Sequence, residues 1–151
     1  MLSLATRTLQ RTSTTASSSL RGLVVKSARP FHSTPRWAVQ YNKANLETFN
    51  EAISSKDRIV LVDFYADWCG PCHQLSPILE SLAGDAETKS GSGLPIDLVK
   101  LDTDGEVGQS LGQQFKVRAL PTVIAFRDGK PVNQFVGALN EPGVRNFLQN
   151  L

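Results

Sequence analysis

From residue 39 onward, apolar and polar positions alternate between two periods along the chain. "NLETFNEAIS" sets Leu46, Phe49, Ala52 and Ile53 at helical spacing behind Asn45, a residue type suited to an N-cap, and predicts an amphipathic helix. "RIVLVDFYA" is β-branched and aromatic with apolar groups on both faces, as in a central strand buried on both sides. "CHQLSPILESLAGDA" reads as a second helix with Leu75, Ile78, Leu79 and Leu82 on one face, and Pro77 inside it predicts a kink. "AVQYN" is a weak strand, "KSGSGLP" a flexible connector, "IDLVKLDTD" another strand, and "EVGQSLGQQF" a weaker helix containing two glycines. "TVIAFRDGKPVNQFVG" gives two strands joined through Asp128-Gly129, a hairpin-turn signal. "NEPGVRNFLQNL" closes the chain as a helix with Asn140 as cap and Pro142 in its first turn. The resulting string, β-α-β-α-β-α-β-β-α, predicts an α/β fold: a central mixed β-sheet with helices on both faces.

Size and charge sharpen this reading. A chain of 151 residues, 40% hydrophobic and 20% charged, holds one ordinary domain plus a modest extension. No apolar run approaches the eighteen residues of a membrane span. Two cysteines are too few to staple a secreted miniprotein. The net charge of +2 is distributed unevenly, because residues 1–36 carry Arg7, Arg11, Arg21, Lys26, Arg29 and Arg36 with no acid. That stretch is also Ser/Thr-rich, the composition of an organelle-targeting presequence, and its "LRGLVV" is too short and too broken for a secretory signal. "RPFHSTPR" resembles a two-step mitochondrial processing site, which would start the mature chain near Val39. The expectation is a cleaved, disordered presequence over 1–38 and a domain over 39–151 destined for the mitochondrial matrix. Losing the six basic residues leaves ten basic against fourteen acidic, a net charge of −4 that gives no footing for nucleic acid.

Both cysteines fall in "WCGPCH", residues 68–73, which is open to several chemistries. A structural zinc ion needs four ligands, and only His73 and His32 stand beside Cys69 and Cys72 as soft or imidazole candidates, His32 lying in the presequence. A c-type haem would take both thiols and His73, but the single methionine, Met1, is also in the presequence, so no distal ligand remains. An inert bridge over two residues would add little stability. Redox chemistry fits best, because a disulfide can close over Gly70 and Pro71 at a helix start, where Pro71 presets the first turn. Cys69, at the exposed helix N-terminus, would have its thiolate stabilised by the dipole and unpaired N–H groups and act as nucleophile. Cys72, one turn inward and more buried, would be the resolving thiol. His73 lies four residues beyond Cys69, on the same face, and an imidazole with an ordinary pKa near 6.5 would support that thiolate less than a lysine would.

"VDFYADWCGPC", "RALPTVIAF" and "FVGAL" together resemble the thioredoxin family over essentially all of residues 39–151, and the presequence makes the likeness one to its mitochondrial members. The resemblance implies the thioredoxin fold and a protein disulfide reductase with no bound cofactor, NADPH and FAD entering only through a partner thioredoxin reductase. Clients would be oxidised proteins such as peroxiredoxins and methionine sulfoxide reductases, with no nucleic acid or membrane partner, and the protein would act as a monomer. Asp63 matches the family's buried aspartate that relays a proton to and from Cys72, and Lys100 the lysine beside it. Pro121 matches the cis-proline facing the disulfide. Trp68, Gly70, Pro71, Leu120, Gly137 and Ala138 match the apolar rim that receives clients. The connector over 84–95 is longer than the family's usual one, and His73 replaces a common basic residue.

Overall fold

The computed structural model describes residues 39–151; the presequence expected over 1–38 lies outside the described residues. In chain order the elements are β1 (Gln40–Tyr41), α1 (Leu46–Ile53), β2 (Ile59–Tyr65), α2 (Gly70–Gly84), β3 (Ile96–Asp102), α3 (Glu106–Gln114), β4 (Thr122–Arg127), β5 (Lys130–Val136) and α4 (Glu141–Gln149). Local chemistry accounts for the boundaries. Asn45 caps α1 by accepting the Thr48 N–H at 2.8 Å, and Asn140 caps α4 by accepting the Gly143 N–H at 3.0 Å. Asp128 and Gly129 both adopt positive φ, 50° and 77°, the geometry of the two-residue turn that matches the twist of a hairpin. Helix α2 runs unbroken through Pro77.

The five strands form one sheet in the order β1-β3-β2-β4-β5, with β2 parallel to β3 and antiparallel to β4. Because successive strand residues face opposite ways, β2 feeds two cores. Ile59 and Leu61 pack with Leu75, Leu79 and Leu82 of α2 and Val144, Phe147 and Leu148 of α4. Val60, Val62 and Phe64 pack on the other face with Phe49 and Ala52 of α1 and Leu111 of α3. The central position of β2 therefore explains its apolar run on both faces, and the mixed sheet with helices on each side is the architecture expected from the sequence.

The connector between α2 and β3 departs from its expected flexibility. Thr88 and Ser90 are buried, and Lys89 bridges Pro95. The Gly91 N–H donates to the Leu148 carbonyl and the Ser92 N–H to the Leu151 carbonyl, each at 2.9 Å. Glycine and serine would leave this stretch free in isolation, but its backbone donors are taken up by the end of α4, satisfying groups that would otherwise be orphaned. At the far end of β2, buried Arg58 forms a two-pronged ion pair with Asp97 of β3, and Asp97 also accepts the Val39 N–H at 2.8 Å.

Candidate active site

Strand β2 ends at Tyr65 and the chain turns through Ala66–Trp68 into α2, so the two cysteines sit where the central strand meets a helix N-terminus. Cys69 is the N-cap residue with extended backbone, and Cys72 occupies the first turn. The Cys72 N–H donates to the Cys69 carbonyl at 3.1 Å and reaches the Cys69 Sγ at 3.2 Å, so a helix-start donor points at this sulfur. The two cysteines are disulfide-bonded with Cα atoms 5.3 Å apart. Their sulfurs being joined to each other leaves neither the zinc nor the haem arrangement in place, and among the described residues no group of three His, Cys, Asp or Glu side chains could hold a metal ion.

The structure corrects the expected exposure of Cys69. A helix N-terminus suggests an open position, yet Cys69 is 4% exposed against 2% for Cys72. Both pack with Ala66, Tyr65 and Leu120, which cover the disulfide from the β2 end and from the turn before β4. The two thiols therefore differ by their place on the helix more than by burial.

Asp63 is 1% exposed, on the β2 face that α2 covers, and neither carboxylate oxygen has a hydrogen-bond partner. Burial pushes its pKa up to about 7, opposed by the Lys100 ammonium and assisted by the Glu80 carboxylate. Lys100 is the register partner of Asp63 on β3, but its Nζ lies 2.7 Å from Glu80 Oε1 and 5.1 Å from the centre of the Tyr65 ring. Lys100 thus acts on Asp63 through space, and its direct partner is a residue that the sequence does not single out. Glu80 falls on the half-exposed flank of α2, where a glutamate carries no signal of its own.

The Leu120–Pro121 peptide is cis, with Leu120 packed against the cysteine pair and Pro121 buried. The Pro121 carbonyl accepts the Gly137 N–H at 2.8 Å, which brings the β5 end, Gly137-Ala138, to the same rim. Gly137 has φ of 91°, a conformation that favours glycine. Gly70 and exposed Pro71 form the helix start beside the disulfide. Trp68 is 72% exposed, its indole N–H donating to Asp104 Oδ2 at 3.0 Å. A groove of about 320 Å³ runs from Trp68 past Gly108 and Gly112 of α3 to Val117, Arg118 and Leu120. A Cβ at Gly108 would overlap the Asp102 carbonyl, so glycine there lets α3 lie close to the end of β3. His73 makes a contact that spacing alone does not show: its Nε2 lies 2.8 Å from the Asp67 carbonyl and, as donor, ties the helix back to the turn that carries Trp68.

The model of the thioredoxin family matches residues 40–150. A chloroplastic thioredoxin Y of Oryza sativa subsp. japonica is 39% identical over 114 residues, 76% of this chain, which spans 63% of the rice protein's length. A thioredoxin of Staphylococcus haemolyticus is 43% identical over 95 residues, covering 63% of this chain and 82% of the bacterial one. Among solved structures, a mutant thioredoxin from Halobacterium salinarum superposes with a TM-score of 0.60 at 31% identity, over 76% of this chain and 89% of that one. With the five-stranded sheet, the Cys69–Cys72 pair at the start of α2 and the cis peptide before Pro121 all in place, the chain belongs to the thioredoxin family, a family of thiol–disulfide oxidoreductases.

Proposed function

We propose that this protein is a protein disulfide reductase working by thiol–disulfide exchange through Cys69 and Cys72. The observation that carries the reading is the disulfide at the N-terminus of α2, laid over a sheet face that holds a buried, unpartnered carboxyl. In the reduced protein the Cys69 thiolate attacks one sulfur of a client disulfide, forming a mixed disulfide and releasing the other client sulfur as a thiolate. Asp63, as carboxylate, takes the proton from Cys72, whose thiolate then attacks the Cys69 sulfur. The intermolecular bond breaks, the second client thiolate leaves, and the Cys69–Cys72 disulfide closes. The client gains two electrons and the dithiol loses two. Pro121, Trp68, Gly70, Pro71, Leu120, Gly137 and Ala138 form the rim on which an extended client segment would lie, and a proline at 121 offers no N–H to compete with it.

Thioredoxins carry no cofactor of their own. Return of the pair to the dithiol is assigned to a flavin-dependent thioredoxin reductase drawing on NADPH, with peroxiredoxins and methionine sulfoxide reductases among the clients. The competing reading is a binding module of the same fold. Insulin reduction with NADPH and a thioredoxin reductase separates the two. We expect turnover by the native protein, and Cys72→Ser is expected to trap clients through Cys69 while Cys69→Ser traps none. Equal trapping by both variants would overturn the assignment of roles.

Residues 1–38 are proposed as a mitochondrial matrix presequence, supported by their acid-free, Arg- and Ser-rich composition. The chloroplastic location named for the rice relative favours a plastid as the second reading. Joining a fluorescent protein to the C-terminus of the full chain distinguishes the organelles, and N-terminal sequencing of the recovered product is expected to start near Val39. A product starting at Met1 would overturn the presequence.

A further inference from the structure

Asp63 and Lys100 are register partners on adjacent parallel strands, and strand alternation turns both toward α2, in line with Leu61 and Leu98. An ammonium and a carboxylate so placed in an apolar layer would ordinarily close on each other. They do not: Lys100 Nζ is drawn to Glu80 Oε1 at 2.7 Å, and both oxygens of Asp63 are left without a hydrogen-bond partner. The Glu80 side chain is 39% exposed against 14% for Lys100, so the pair forms near the water boundary, where less desolvation opposes it than at Asp63. The Glu80 turn of α2 is itself fixed, its carbonyl accepting from Gln40 Nε2 at 2.7 Å. Among the described residues, Asp63 also faces Tyr65, two positions on along its own strand, and apolar Val123, its register partner on β4.

We propose that Glu80 is a positioning residue for the proton step at Cys72, holding the Lys100 ammonium off Asp63 so that the Asp63 carboxyl remains free to exchange a proton. Two acids compete for one cation, and the better solvated one takes it. Beside the direct push of its own carboxylate on Asp63, Glu80 acts mainly through its hold on Lys100. This inference rests on the disulfide reductase reading, and its test is chosen so that the two can fail separately.

The Asp63 carboxyl is titrated directly by NMR in the oxidised protein, which requires no turnover, and stopped-flow measurement of the Cys72 attack across pH follows the functional consequence. In Glu80→Gln the freed ammonium swings to Asp63, and the titration midpoint should fall by about one pH unit, the lower end of what an opposite charge at 4–6 Å produces. The pH profile of the Cys72 step should move down with it. In Lys100→Met the midpoint should rise, and adding Glu80→Gln to Lys100→Met should move it by less than about a third of the single-variant shift, because the route through Lys100 has been removed. An unchanged or raised midpoint in Glu80→Gln overturns the proposal. So does an equal fall in both backgrounds, which would make Glu80 only a nearby charge. A native protein that fails to reduce insulin while the midpoints move as expected would overturn the reductase reading and leave the Glu80–Lys100 geometry supported.

Discussion

Asp63 stands between Val62 and Phe64 in the most buried strand of the molecule, and its stability consequence follows from its pKa. The folded value, raised from 3.8 to about 7, means that the native state binds the proton more tightly than the unfolded chain does between these limits. Stability therefore falls as pH rises from about 4 to 7 and stays reduced above that range, the reverse of an ion-paired aspartate. Asp63→Asn removes this cost, and chemical denaturation should show the variant more stable by about 2–4 kcal/mol at pH 8, with the difference shrinking below about 1 kcal/mol near pH 4. A gain independent of pH would mean that desolvation of the charge is not its origin. The cysteine pair is legible from sequence because its spacing is a local signal, and Asp63 is legible only through its match to the thioredoxin pattern. Glu80, the Trp68–Asp104 contact and the His73–Asp67 contact are not, since their partners are brought together by the packing of helix on sheet, by the meeting of the β2–α2 turn with the loop after β3, and by the β2–α2 turn itself.

The elements follow their patterns closely where periodicity and caps agree, as in α1 and α4, each begun by the asparagine expected to cap it. The connector over 89–95 reads as free from its composition, which reports only local preference. Its partners, Leu148 and Leu151, lie more than fifty residues away in sequence. Gly91 carries the consequence, for a Cβ there would run into the backbone carbonyl of Gln149. Gly91→Ala should therefore lower stability by about 1–3 kcal/mol, the usual cost of forcing atoms into an occupied space. The check is the midpoint of urea denaturation together with hydrogen exchange at Ser92, whose N–H is held by Leu151. Unchanged protection at Ser92 would mean that the loop yields without loosening its hold on α4.

At the scale of the whole molecule, the alternating string implies helices on both faces of a mixed sheet, but strand order is beyond it. Periodicity states which face of a strand is apolar and leaves open which strand lies beside it. The order β1-β3-β2-β4-β5 places the strand that leads into the cysteines at the centre, between two strands that follow it in the chain. That position has a consequence for the order in which the fold can be assembled. Strand β2 reaches β3 across a loop that holds all of α2, and it reaches β4 only after α3 has also been added, so its contacts are non-local and slow to form. The covering of the cysteines depends on the same late segments, since Leu120 arrives just ahead of β4. A chain emerging from a ribosome or a translocation pore, N-terminus first, therefore presents both thiols well before it can enclose them. The redox pair is among the first chemistry this chain exposes and among the last it buries.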